Sequence, residues 1–278
     1  MARSRIVLPI NRMAAKSHSG IFVKRSSDWH LHRPEQFPHR DDYYIFSFVV
    51  AGQISAMVDF KKIGLTGCQG IIVAPWQVHA PVVGPALPEA WLLFVAAEHI
   101  SDSVRQIIER YILLSQPIGF TPRQVDDLKA LFRMLYENAY GDVCLSAIAT
   151  AVVEIFCGSI SMSENGCNNS SRYTSLVVRM KRLIDSHIAE CRRPADYASM
   201  LNVSRVYLNE AVKAVTGVSA GEFIRSHAVL SAKRMLVHTD LDINQIAEEL
   251  GYDDTSYFSR MFKKETGLTP SEFRENLV

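Results

Sequence analysis

Near its C-terminal end the chain states one pattern twice, fifty positions apart. Tyr207-Leu208-Asn209-Glu210-Ala211-Val212-Lys213 aligns with Tyr257-Phe258-Ser259-Arg260-Met261-Phe262-Lys263, and Thr216-Gly217-Val218-Ser219 aligns with Thr266-Gly267-Leu268-Thr269. Both copies then reach Glu-Phe, at Glu222-Phe223 and Glu272-Phe273. Register kept over such a span restricts this region to two copies of one supersecondary unit.

The punctuation of each copy says what the unit is. Ala198-Ser199-Met200-Leu201 closes a short helix, Asn202 suits the left-handed conformation of a tight turn, and Ser204 suits the cap of a new helix. In the second copy Ala247-Glu248-Glu249-Leu250 is followed by Gly251 and then by Asp254 as cap, with Asp242 and Gln245 as a capping-box pair upstream. Each copy reads as helix, tight turn, helix, an arrangement whose second helix can enter a DNA major groove.

Helical spacing turns Phe258, Met261 and Phe262 inward and leaves Asp254, Thr255, Ser256, Ser259, Arg260 and Lys263 outside. In the first copy Leu208, Ala211, Val212 and Val215 form the inner stripe, leaving Ser204, Arg205, Val206, Asn209, Glu210 and Lys213 outside. These twelve outer residues are the candidate DNA contacts. A helical domain that binds protein is the alternative for a single such unit, and the fixed register of two disfavours it.

Gly251-Tyr252 through Ser256-Tyr257-Phe258-Ser259-Arg260-Met261-Phe262-Lys263-Lys264, and then Gly267-Leu268-Thr269-Pro270-Ser271-Glu272-Phe273-Arg274, resembles the signature of AraC/XylS-type transcription regulators. The resemblance implies two helix-turn-helix units, at about 194–215 and 242–265, joined by one helix at about 220–237 and entering successive major grooves about 34 Å apart. It also exposes two departures. Glu210 stands where the first reading helix often has a basic or amide residue, and Ala228 stands where the joining helix usually has Arg. A carboxylate at Glu210 either accepts from the cytosine amine or lowers phosphate attraction.

Charge supplies no global field for a polyanion. The whole chain is formally +1, and residues 173–278 carry fourteen basic and fourteen acidic side chains. Attraction must come from local placement of Arg205, Lys213, Arg260, Lys263 and Lys264, which predicts modest nonspecific binding and a moderate salt dependence.

At 278 residues with 48% hydrophobic content, the chain can fill two cores. The small, polar run from Ser161 to Ser171 reads as a linker, dividing a domain at 1–162 from one at 173–278, with the linker at 163–172. Upstream, helices are predicted over 101–114, from the Thr121-Pro122-Arg123-Gln124 cap, and over 144–162, which is apolar almost all round. They serve either as a packing layer or as a homodimer interface.

Residues 20–98 read as strands, with Tyr44–Val50, Ile54–Phe60, Gly70–Ala74 and Ala90–Ala96 rich in β-branched and aromatic residues. Such short, close strands predict an antiparallel barrel or jelly roll. Gly70-Ile71-Ile72-Val73-Ala74-Pro75-Trp76-Gln77-Val78-His79 resembles the second half of a cupin motif, the barrel of many AraC-type sensor domains. The expected fold class is therefore α+β in two domains: an N-terminal cupin-like antiparallel β-barrel with packed helices, and an all-α double helix-turn-helix.

Tyr43, Phe46, Trp76, His79 and Trp91 are the candidate contacts for a small-molecule effector at the barrel mouth. No metal or other cofactor is expected. His30, His32, His39 and His79 are available, but the His-x-His pair lacks a following Glu, and Gln77 and Val78 offer no second ligand beside His79.

No phosphate loop, nucleophile elbow, Cys-x-x-Cys pair or zinc-protease helix occurs, so an enzyme is not expected. Five scattered cysteines suit a reducing cytosol, and the absence of any evident export signal or bilayer-length apolar stretch predicts a cytoplasmic chain with no membrane partner. The chain thus reads as a DNA-binding transcription regulator whose partners are double-stranded DNA, a small-molecule effector, a second copy and, if it is an activator, RNA polymerase. Two rivals stay open: a cupin-type metalloenzyme with an appended DNA-binding segment, and a constitutive regulator whose barrel only dimerises.

Overall fold

The computed structural model describes residues 10–30, 38–82, 86–114, 116–137, 141–164 and 168–276. The fold is α+β in two compact units that part between Gly166 and Cys167, with an all-α C-terminal unit. The polar run read as a linker falls on the end of one helix at Glu164 and the start of another at Asn168, and residues 165–167, including Cys167, lie outside the described residues.

The N-terminal unit runs β1 (Ile10–Asn11), β2 (Ile21–Arg25), β3 (Arg40–Asp41), β4 (Tyr43–Ala51), β5 (Gln53–Val58), β6 (Lys61–Thr66), β7 (Gln69–Val73), β8 (His79–Val82), β9 (Glu89–Ala96), α1 (Asp102–Leu114), β10 (Ile118–Gly119), α2 (Pro122–Glu137) and α3 (Gly141–Glu164). The closed cupin-like barrel expected from the sequence is not formed. Among the described residues the strands make an antiparallel five-stranded sheet in the order β10-β7-β4-β9-β2, a three-stranded sheet β6-β5-β8, and a parallel pair β1-β3.

The physical reason lies in the connections. After the register shift between Val49 and Ala51, the chain turns through Gly52, at φ +84°, out of the larger sheet and into the smaller one. Asp59 and Phe60, both at positive φ, make the two-residue hairpin turn to β6. The chain then returns through Cys68, at φ +67°, into β7. Among the described residues no ladder bridges the outer strands of the two sheets, and barrel closure requires such a ladder. The cupin-like segment is itself split, with β7 in one sheet and β8 in the other.

The five-stranded sheet is covered on one face by α2 and α3. Phe46 meets Phe156 edge-on, while Phe48 and Trp91 both stack on Phe132. Gly70 is fixed by this contact, because a Cβ there would lie 2.8 Å from the Phe156 ring and 2.9 Å from the Phe120 ring. The Thr121 cap behaves as predicted, exchanging hydrogen bonds with Gln124 through its own N–H at 2.9 Å and through the Gln124 N–H at 3.3 Å.

The expectation that no stretch reaches bilayer length needs correction. Gly141–Ser161 of α3 is long and apolar enough to cross a membrane by length and composition. Its Leu145, Ala149, Val152, Phe156 and Ile160 are buried at helical spacing in the core of this unit.

The C-terminal unit comprises α4 (Asn168–His187), α5 (Pro194–Met200), α6 (Arg205–Thr216), α7 (Ala220–His238), α8 (Ile243–Glu249), α9 (Thr255–Thr266) and α10 (Pro270–Glu275). Sequence reasoning did not anticipate α4, which buries Leu176, Val177, Met180 and Ile184 and packs against α6. The long α7 serves both halves. Phe223, Ile224 and Ala228 are buried toward its start, and Val229, Ala232 and Leu236 join the core formed by Ile246, Leu250, Phe258 and Phe262. Ala228, at 1% exposure, is a packing residue here and offers no cation.

Candidate functional site

Both copies of the repeat are built by the same local chemistry. In the first, Asn202 adopts φ +54° and the Val203 N–H returns to the Ala198 carbonyl at 3.0 Å; in the second, Gly251 adopts φ +73° and the Tyr252 N–H returns to the Ala247 carbonyl at 2.8 Å. These six-to-one closures end α5 and α8 and turn the chain sharply. Ser204 then caps α6 by accepting from the Tyr207 N–H at 3.1 Å, and Asp254 caps α9 by accepting from the Ser256 N–H at 2.8 Å. Asp242 and Gln245 form the predicted capping box with two bonds of 2.8 Å.

Two further boxes start the helices that follow the reading helices. Ser219 with Glu222 and Thr269 with Glu272 exchange caps at α7 and α10. Hydrogen bonds from Ser219 hold the Glu222 carboxyl below its ordinary range, and the Thr269 backbone N–H and then its hydroxyl do the same for Glu272.

The outer faces carry the predicted residues. Ser204, Arg205, Val206, Glu210 and Lys213 are exposed on the first copy, as are Asp254, Ser256, Arg260 and Lys263 on the second, while Asn209, Thr255 and Ser259 are half-buried. Val206, at 66% exposure, presents an apolar side chain suited to a thymine methyl group. Asn209 has a second duty, since its Oδ1 accepts from the Ala220 N–H at the start of α7 at 3.0 Å. In the other copy the equivalent pair is Ser259 and Pro270, and proline has no N–H to satisfy.

Sequence reasoning overlooked three arginines. Arg192, Arg193 and Arg225 line an open groove together with Tyr252 and Tyr257. The Arg192 guanidinium sits 4.5 Å from the Tyr252 ring centroid, and Arg225 lies 3.5 Å from Glu265 of α9. For Arg192 and Arg193 the available signal was their place directly before Pro194, the first residue of α5. Asp253 and Asp254 line the same groove, and Arg193 and Arg225 pair with Asp196 and Glu265, so its charge is mixed, and of the three arginines it is Arg192 that meets an aromatic face.

The N-terminal unit holds a cavity of about 370 Å³ lined by residues of both sheets. Of the five candidate effector contacts, Tyr43 and His79 line it. Phe46 and Trp91 project from the opposite face of the large sheet into the helix contact, because residues alternate across a strand. Trp76 sits in the turn between β7 and β8 at φ +68°, 46% exposed, beneath the Arg40 guanidinium.

At the cavity wall His39, Asp41 and His79 bring three ligand atoms within 4.8 Å of one another, all three residues being buried. Asp41 was not among the sequence candidates. His32 lies outside the described residues.

Comparison with known proteins agrees with the helical geometry. Residues 197–276 match the profile of a family described as "Helix-turn-helix domain". The chain is 30% identical over 105 residues to the Regulatory protein PocR of Salmonella typhimurium, covering 38% of this chain and 35% of PocR. It is 28% identical over 134 residues to the HTH-type transcriptional activator RhaR of Escherichia coli, covering 46% of this chain and 48% of RhaR. A solved structure, the C-terminal domain of AraT, a response regulator from Geobacillus stearothermophilus, is similar at 34% identity with a TM-score of 0.35, covering 38% of this chain and 88% of that one. The alignments span less than half the length of these curated relatives, which are named as regulators and not as enzymes. Residues 197–276 are thus similar to a helix-turn-helix domain, the kind that supports binding to double-stranded DNA, and the AraC/XylS-type resemblance is supported there.

Proposed function

We propose that this protein is a sequence-specific transcription regulator whose single chain presents α6 and α9 to successive major grooves of one DNA duplex. The observation that carries the reading is the duplicated turn and cap geometry, with both units packed on the shared helix α7. Arg205, Val206, Asn209, Glu210 and Lys213 form one head with the Ser204 cap, and Thr255, Ser256, Ser259, Arg260 and Lys263 form the other with the Asp254 cap. Exposed cations touch phosphate, and amide, hydroxyl and carboxylate groups read base edges.

The cavity in the N-terminal unit supports control by a small-molecule effector. An effector acts only through unequal affinity for the DNA-competent and DNA-incompetent states. The uncovered part of α3, where Val143 is 86% exposed, supports a homodimer as part of the same reading. Cytoplasmic location and contact with RNA polymerase belong to this reading too.

Selection from a randomised oligonucleotide pool with the full chain at low ionic strength tests it. An enriched motif is expected, and a pool that stays random after repeated rounds would overturn the assignment.

A further inference from the structure

We propose that His39, Asp41 and His79 form a binding site for one divalent transition-metal ion, with an open coordination position facing the cavity of the N-terminal unit. The backbone places the three groups together. His39 and His79 form an antiparallel bridge, exchanging N–H to carbonyl hydrogen bonds of 3.0 and 2.9 Å, so their side chains stand side by side with ring centroids 4.4 Å apart. Asp41 follows His39 by two residues along an extended segment and therefore shares its face.

The hydrogen bonding prepares these groups as ligands. His79 Nδ1 lies 3.1 Å from the Gln77 carbonyl oxygen, which only accepts, so the ring proton sits on Nδ1. The Nε2 atom then faces Asp41 Oδ2 at 3.2 Å, an acceptor against an acceptor in the neutral ring. Either a second ring proton on Nε2 or a bound metal cation resolves the conflict, and the buried triad with His39 Nε2 beside the same carboxylate provides the donor set for the metal. Asp41 is 3% exposed, and its Oδ1, 3.9 Å from His39 Nε2, has no hydrogen-bond partner among the described residues. Leaving such an atom dry is costly.

The carbonyl that orients His79 is itself held in place. Gln77 donates to Asp59 Oδ2 at 2.8 Å and accepts from the Ala74 N–H at 2.9 Å, which pins the turn. An imidazole fixed through its other nitrogen is the usual outer shell of a metal-binding histidine.

The donor set selects the ion. Two imidazoles and one carboxylate favour zinc, cobalt, nickel or iron over magnesium or calcium, and three protein ligands leave a position for water or a further ligand. Around a tetrahedral ion with bonds of about 2.0–2.1 Å the donors stand about 3.3 Å apart. Separations within 4.8 Å close on such an ion with modest side-chain movement.

Co²⁺ titration of the chelator-stripped full chain, read by calorimetry and visible absorption, tests the site. One Co²⁺ per chain is expected, with the d–d bands of nitrogen and oxygen ligation. Asp41→Asn and His79→Gln should each weaken binding by about tenfold or more. Failure to bind, a sulfur-to-cobalt charge-transfer band from the free cysteines, or unchanged affinity in both variants would overturn the proposal. If the variants misfold by circular dichroism, X-ray absorption of the Co²⁺-loaded wild type decides: two imidazoles in the first shell support the site, and fewer refute it.

Discussion

The side-chain oxygen of Asn209 accepts the first backbone N–H of α7, from Ala220, at 3.0 Å, so a residue on the candidate reading face also fixes the angle between α6 and α7. Asn209→Ala leaves that N–H without its partner and is expected to lower the unfolding free energy by about 1–3 kcal/mol in urea titrations. Asn209→Asp keeps the acceptor and should retain most of the stability. Ser259→Ala, opposite Pro270 in the other copy, removes no such bond and should cost less than Asn209→Ala.

Gly251 and Asn202 occupy the same turn position in the two copies, at φ +73° and +54°. A Cβ on Gly251 would overlap the Ala189 carbonyl oxygen. Gly251→Ala therefore combines left-handed strain with a backbone clash and should destabilise the C-terminal unit by at least about 1–3 kcal/mol. Asn202→Gly, where an exposed asparagine already tolerates the conformation, should change stability by less than about 1 kcal/mol. Thermal unfolding of both variants checks the contrast.

On DNA, Arg260 and Lys263 are expected to separate base reading from phosphate attraction. Arg260, 3.8 Å from Asp254 and well exposed, is positioned to swing onto a base edge. Arg260→Ala should cost about 1–3 kcal/mol on the selected site and relax its specificity. Lys263→Ala should weaken all sequences alike and reduce the salt slope by about one. Anisotropy titrations at several salt concentrations measure both effects.

Acid stability should depend on the two Glu capping boxes. The folded carboxyls of Glu222 and Glu272 are held below their ordinary value of 4.5, so their contribution is fully present above that pH and is lost as pH falls through the depressed folded values. Glu222→Gln and Glu272→Gln keep an oxygen to accept the cap N–H, as Gln245 does for Asp242. The double variant should be less stable than the wild type at neutral pH and show a flatter fall below about pH 4.5 in denaturant titrations, the two proteins converging in acid.

The C-terminal unit was legible because caps, turns and stripes are local chemistry written in adjacent residues, and Ser204, Gly251, Asp254 and the Asp242–Gln245 box all occupy their expected places. α4 was overlooked although Leu176, Val177, Met180 and Ile184 repeat at helical spacing; only its polar start hides where the helix begins. In the N-terminal unit, β4 is buried along nearly its whole length, so no alternation reveals which face Tyr43 and Phe46 take. Barrel closure depends on pairing between distant strands, and the meeting of Asp41 with His79 depends on a bridge spanning forty residues. Local pattern does not encode either.

Spacing tests the central claim most directly. A selected operator is compared, by anisotropy with the full chain, with the same operator carrying a half-turn insertion between its two elements. Because α6 and α9 sit on one shared scaffold, one helical turn of about 10–10.5 base pairs should separate the elements, and the insertion should weaken binding by at least about tenfold. Equal affinity for both duplexes would contradict a chain that engages two successive grooves at once.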